Sequence, residues 1–253
     1  MGKSRQEKLK DTQAYIDGLK NACKHLGING AVIGISGGKD STIVAKLMVE
    51  VLGKDNVLGV LMPNGVQKDI DVSQAVVDFL NIKSITVNIG NSYDSLLETI
   101  DSQMFSVLNK GMSRDSIVNI SPRIRMTVLY GIAQSMGKGW RVIGTTNRSE
   151  EYIGWLTKWG DGGVDFEPII DLSVTELREF GLYLGLPEKF VHKVPIDGLT
   201  ELTDEERFGF TYEQLDAYMD FGTSGDSKID AIIKQMHDYS NHKRNPVPIF
   251  KLE

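Results

Sequence analysis

A single cysteine, Cys23, in a chain of 253 residues excludes an internal disulfide framework and any cysteine-built zinc site. It falls on the helical stripe Ala14, Tyr15, Ile16, Leu19, Cys23, Leu26, so a packing role is expected rather than a nucleophile. No apolar run reaches the roughly 20 residues of a membrane span, and Met1 to Lys10 is too charged for a signal peptide. No membrane association and a cytoplasmic location are therefore expected. Positive charge is also scarce, with 28 Lys and Arg against 34 Asp and Glu and a formal charge of −6. That balance argues against binding nucleic acid along a basic face. Lys3, Arg5, Lys8 and Lys10 lie among Glu7 and Asp11 and read as a solvated helix face. His25, His192 and His237 have no partner at metal-ligand spacing, so zinc is not expected.

What is present is a glycine turn carrying chemistry. Gly34-Ile35-Ser36-Gly37-Gly38-Lys39-Asp40-Ser41 joins an apolar, β-branched run, Ala31 to Ile35, to a run with Ile43, Val44, Leu47, Met48 and Val51 at helical spacing. A strand-to-helix junction points several backbone N–H groups at one spot beside the positive end of a helix, which suits a polyanion. Ser36 and Ser41 add hydroxyl donors. Asp40 facing a polyphosphate makes sense only with a hard cation such as Mg²⁺ between them. The spacing is neither a Walker A loop nor a dinucleotide fingerprint.

Around this turn the pattern alternates: strand 31–36, helix 41–52, strand 56–62, helix 69–80, strand 84–89, helices over 91–137, and a strand at Arg141 to Thr145. A first helix over about 5–28 precedes them. Such alternation predicts an α/β fold with a parallel sheet flanked by helices on both faces, and a ligand at the carboxyl ends of the strands. Residues 150–172, rich in glycine and aromatics, read as a functional loop. Helices are expected at 173–184, from Thr211, and at 226–240. A single domain over 1–253 is the simplest organisation, with an ATP-binding core at about 30–195 and C-terminal helices and tail beyond 196.

The turn resembles the Ser-Gly-Gly-x-Asp-Ser pyrophosphatase loop of enzymes that cleave ATP between the α and β phosphates. Five further segments narrow the resemblance: Met62 to Gln67, Asn119 to Met126, Ile143 to Glu150, Thr157 to Asp165, and His242-Lys243-Arg244. Together, in collinear order from about residue 10 to 248, they resemble NAD synthetase, an adenine nucleotide alpha hydrolase-like family. The resemblance implies ammonia-dependent amidation of deamido-NAD, through an adenylated carboxylate, to NAD, AMP and pyrophosphate. It implies Gly34 to Ser41 and Thr145 on ATP, and Asp40 and Glu150 as Mg²⁺ ligands. Arg123, Lys158, Asp165, His242 and Lys243 fall where the family binds deamido-NAD, with Asp40, Glu150 and Lys158 as the catalytic set. It also implies a homodimer. No segment here matches a glutaminase domain, so ammonia is expected to be used directly, with a separate glutaminase partner left open.

The match departs at three places. Lys39 stands where the family more often has a small apolar residue or glutamine. Val174 replaces a lysine near ATP, and Pro195-Ile196-Asp197-Gly198-Leu199 replaces a segment whose hydroxyl contacts ATP. Weaker ATP binding is the expectation, with Val174→Lys restoring it unless Lys39 already serves the same phosphate. Thr203 to Gly209, with Tyr212 and Asp216, suggests a cover over ATP spanning about 197–209. The aromatics Tyr130, Tyr152, Trp155 and Trp159 read as packing rather than as stacking platforms. The alternatives are another pyrophosphatase-loop amidating ligase and a catalytically weak nucleotide-binding or sensing protein.

Overall fold

The computed structural model describes residues 4–66, 70–192 and 203–252. Helices α1 (Arg5–Lys10) and α2 (Thr12–Leu26) lead into strand β1 (Gly30–Gly34), followed by α3 (Lys39–Leu52), β2 (Val57–Leu61), α4 (Ile70–Leu80) and β3 (Lys83–Thr86). Next come α5 (Gly90–Leu108), α6 (Arg114–Met136), β4 (Trp140–Val142), α7 (Arg148–Ile153), α8 (Val174–Tyr183) and α9 (Glu188–Val191). The chain closes with α10 (Asp204–Phe208), α11 (Tyr212–Phe221), α12 (Ser227–Tyr239) and α13 (Asn241–Arg244). Among the described residues no helix is long and apolar enough to cross a membrane.

All three strand pairings are parallel, in the order β3-β2-β1-β4, with Ile33 opposite Gly59 and Val32 opposite Val142. Strand alternation divides the core between the two faces. Ala31 and Ile33 of β1 pack with Ile43, Leu47, Val76 and Phe180, whereas Val32 packs with Val60, Ala133 and Val142 under α6. Both faces of β1 are thus sealed, which is why its sequence is continuously apolar rather than alternating. Each fully buried large side chain there contributes about 1.5–3 kcal/mol. A third apolar cluster, Ile153, Val174, Phe208, Tyr212, Leu215 and Ile233, joins α7, α8, α10, α11 and α12 beside the sheet.

Three sequence expectations change. The expected N-terminal helix breaks at Asp11, whose side chain accepts from the Ala14 N–H and caps α2. Arg5 does not lie on a merely solvated face: it pairs with Asp171 and Glu176, tying α1 to the start of α8. The expected loop 150–172 begins as a helix, because Asn147 and Glu150 form a reciprocal capping box that starts α7.

Candidate active site

The chain leaves β1 at Gly34 and turns into α3 within five residues. Gly37 takes φ +76°, and a Cβ there would meet the backbone N and the hydroxyl of Ser73 at 3.1 and 3.2 Å, so glycine is required twice over. Ser36 Oγ lies 3.1 Å from Ser41 Oγ and accepts from the Gly38 N–H, while Ser41 and Thr42 hydroxyls both donate to the Gly38 carbonyl. These bonds pre-form the turn before any ligand arrives. The expected loop residues are therefore together, with one qualification: the Ile35 side chain is buried in the core and its N–H donates to Val60 O at 2.9 Å.

A cavity of about 270 Å³ opens over this turn. It is lined by Ser36, Asp40 and Ser41 from the first strand end, by Thr145, Thr146 and Glu150 from the segment after β4, and by Trp155 and Asp161. That volume is just below the 300–1,000 Å³ of typical small-ligand pockets, which suits part of a nucleotide rather than all of it. Asp40 and Glu150 are 110 positions apart in the chain and reach the same cavity because β1 and β4 are neighbours in the sheet. Asn147 joins them. Its side-chain N–H donates to Asp40 Oδ1 at 3.2 Å, and its Oδ1 accepts from the Glu150 N–H at 3.0 Å.

Lys39 is the residue whose place sequence could not give. It is only 5% exposed, and its ammonium donates to Asp40 Oδ2 at 2.8 Å. Burial pulls its pKa down, but the Asp40 and Glu150 carboxylates outweigh that and raise it. Burial, then the Asp40 charge, pushes the Glu150 carboxyl well above the usual range, against the pull of Lys39. On the outer wall, Tyr212 Oη donates to Asp204 Oδ2 at 3.1 Å, and burial raises the phenol far above its ordinary value. Thr203 caps α10, whose Phe208 packs edge-on against Trp155. The expected cover is thus described only from Thr203 onward; its 197–202 portion, with Ile196 and Asp197, lies in or beside residues outside those described.

Val174 does not face the cavity as an open contact position. It is fully buried in the third cluster, and its N–H donates to Ser149 Oγ at 3.0 Å. Ser149 Oγ in turn donates to Asp216 Oδ1 at 2.6 Å, and Asp216 Oδ2 accepts from the Thr175 N–H and hydroxyl. This buried network fixes α7, and so Glu150, against α8 and α11.

The remaining candidates gather along α6, the glycine-rich turn and the C-terminal helix. Arg123 is exposed and its Nε donates to Lys158 O at 3.4 Å; the Lys158 ammonium donates to His242 O. Asp165 accepts from Tyr130 Oη at 3.1 Å and from the Val142 N–H at 2.9 Å, so it anchors the turn to β4. Lys243 donates to the carbonyls of Gly154 and Leu156, both at 2.7 Å. Arg244, which sequence reasoning passed over, donates to the carbonyls of Glu151, Tyr152 and His237. Both cations sit at the C-terminal end of α7, where helix carbonyls lack intrahelical partners. Their position in the motif was legible; their targets were not. Tyr152 stacks on His237 at 4.2 Å, in keeping with packing, whereas Trp159 is 55% exposed at φ +62° with the Lys158 ammonium 5.5 Å from its ring.

No described group of three or more His, Cys, Asp or Glu could hold a metal by itself. Asp40 and Glu150 offer two hard oxygens, which fits Mg²⁺ if substrate phosphates and water complete the shell.

Against known proteins, the NAD synthase family model matches residues 12–247. The NH3-dependent NAD⁺ synthetase of Carboxydothermus hydrogenoformans is 37% identical over 235 residues, covering 92% of this chain and 93% of that protein. Among solved structures, NMN synthetase from Francisella tularensis superposes with a TM-score of 0.85 at 30% identity, over 99% of this chain and 100% of that one. The NH3-dependent NAD synthetase of Campylobacter jejuni gives 0.76 at 26% identity, over 98% and 100%.

Proposed function

The chain belongs to the NAD synthase family, and we infer that it is an ammonia-dependent ligase converting the nicotinate carboxylate of deamido-NAD to the amide at the expense of ATP. The observation that carries this reading is the convergence of Asp40 and Glu150, from two neighbouring strand ends, on the cavity over the glycine turn.

The loop from Ser36 to Ser41 would receive the polyphosphate, with N–H groups at the start of α3 and the Ser36 and Ser41 hydroxyls as donors. Thr145 lines the same cavity and would add a hydroxyl. Asp40 and Glu150 would hold Mg²⁺, which when bound offsets phosphate charge and makes the α-phosphorus more electrophilic. Lys158 and Arg123 would hold the anionic groups of the deamido substrate, with Asp165, His242 and Lys243 shaping that side. A nicotinate oxygen then attacks the α-phosphorus and pyrophosphate leaves. Ammonia attacks the acyl carbon, AMP leaves with the carboxylate oxygen, and the added nitrogen loses a proton. Aligning two anions is the main obstacle, so oriented donors contribute more here than acid–base groups do.

A second reading concerns only the length of the substrate. The Francisella tularensis NMN synthetase is similar over nearly the whole of this chain, which favours the mononucleotide form of the same nicotinate substrate. Both readings use one set of reacting atoms.

A homodimer is supported only by scattered exposed apolar side chains, Leu96, Phe105, Val107 and Leu108 of α5 and Met136 at the end of α6. A cytoplasmic location follows from the substrates. The deciding experiment is a discontinuous assay with ATP, Mg²⁺ and ammonium, offering deamido-NAD and nicotinate mononucleotide in parallel and measuring amide product with AMP. Equal amounts of both, abolished in Asp40→Ala, are expected; AMP without any amide from either substrate defeats the reading. The ratio of kcat/KM between the two substrates decides their order.

A further inference from the structure

We propose that Lys39 is a built-in counter-ion that couples entry of the divalent metal at Asp40 to arrival of the nucleotide's polyphosphate. The proposal rests on the ATP and metal reading of this cavity given above.

Both oxygens of Asp40 already have donors: Lys39 Nζ on Oδ2 at 2.8 Å and Asn147 Nδ2 on Oδ1 at 3.2 Å. A Mg²⁺ ion bonds a carboxylate oxygen at about 2.1 Å, which on Oδ2 places it within a few ångströms of the ammonium. Two cations that close repel one another. Metal on Oδ2 therefore competes directly with the Lys39 ammonium for the same oxygen. Lys39 cannot simply swing into solvent, because its side chain is 5% exposed and its Nζ lies 5.9 Å from the centre of the Tyr212 ring. Tyr212 is itself held by its bond to Asp204. Losing the Asp40 contact without a replacement would leave a buried, unpaired charge.

The group that can take over the ammonium is the one the loop is built to receive. With a polyphosphate on the Ser36 to Ser41 turn, the ammonium exchanges a carboxylate oxygen for a phosphate oxygen, and Asp40 Oδ2 is released to the metal. Each ligand thus removes an obstacle to the other, and the coupling is reciprocal by linkage. In the absence of nucleotide, Lys39 occupies the Asp40 oxygen that a free cation would take.

The test measures binding, not turnover. Mn²⁺ serves as the spectroscopic probe, titrated by electron paramagnetic resonance with and without α,β-methylene-ATP, which cannot be cleaved at the reacting bond. In the unaltered protein the analogue is expected to tighten Mn²⁺ by at least about tenfold. In Lys39→Met, Mn²⁺ alone should bind several-fold tighter, the analogue alone several-fold weaker, and the coupling should fall several-fold, to the part that direct ligation of the metal by phosphate supplies. Lys39→Arg, which keeps a cation, should retain most of the coupling and serves as well if the methionine variant is poorly folded: loss of coupling in a folded arginine variant counts against the idea. Coupling that stays intact in folded Lys39→Met overturns the proposal while leaving the ATP reading in place. If the unaltered protein binds the analogue neither with nor without metal, the reading of the cavity itself falls, and this proposal with it.

Discussion

Asn147 donates its side-chain N–H to Asp40 Oδ1 at 3.2 Å. The same side chain caps α7 and sets the backbone of Glu150, so one amide positions both acids of the cavity. Asn147→Ala is expected to cost about 1–2 kcal/mol through the lost cap. It should also lower kcat/KM about 10–100-fold by disordering Asp40 and Glu150, the acids proposed to hold Mg²⁺. Asn147→Asp keeps the cap but buries a third carboxylate against Asp40, so it should lose activity and, through charge repulsion rather than the cap, stability as well. Urea unfolding beside steady-state kinetics separates the two effects; an active Asn147→Asp protein contradicts them.

Arg244 is bonded to the last carbonyls of α7, and Lys243 to those of the turn that follows it. Lys243→Ala and Arg244→Ala should each lose about 0.5–1.5 kcal/mol, because each removes charged donors from part-buried carbonyls. Amide exchange along α7 should quicken in both. If Lys243→Ala instead leaves stability untouched and only raises KM for the dinucleotide, its ammonium serves substrate and not the helix end.

Val174 lies at 0% exposure among Ile153, Phe208, Tyr212 and Leu215. A lysine there would carry its charge through an apolar cluster, so Val174→Lys should destabilise the fold by about 3–5 kcal/mol rather than restore ATP affinity. Val174→Ala should cost only about 1–2 kcal/mol. Chemical denaturation with and without ATP gives both numbers, and a stable Val174→Lys protein with tighter ATP binding would falsify the burial argument.

Glu167 accepts from the Thr146 N–H at 3.2 Å beneath Gly144, and burial raises its carboxyl to about 7. The folded protein therefore binds this proton more tightly than the unfolded chain, whose carboxyl titrates near 4.5. The sign follows: the contribution is present in full below about 4.5 and is lost as pH rises through about 7. Glu167→Gln keeps the acceptor and removes the ionisation, so its advantage over the parent should grow between pH 5 and 8, to at most about 3 kcal/mol. Urea midpoints across that range provide the check; a constant difference between the two proteins assigns the pH dependence elsewhere.

Sequence was most informative where a backbone requirement and a chemical requirement coincide. Gly37, Gly38, Ser36 and Asp40 could be placed because a strand-to-helix turn around a polyphosphate admits few alternatives, and the alternation of elements implied the parallel sheet. The glycine-rich run after α7 was misread at its start, since Asn147 and Glu150 cap a helix of only six residues that is too short to show a period. Arg5 looked solvated because its partners, Asp171 and Glu176, lie over 160 residues away.

By itself, then, the sequence determined the α/β class and the family, because these follow from local propensity and from motifs read in order along the chain. Only the tertiary structure decided what each charge faces: that Lys39 sits on Asp40, that Val174 is interior, that Arg244 binds carbonyls of α7, and that Lys243 binds those of the turn just after it. Charge identity is written in the residue, but its partner is set by which strand ends and helix ends the sheet order brings together, a long-range property that no local pattern carries.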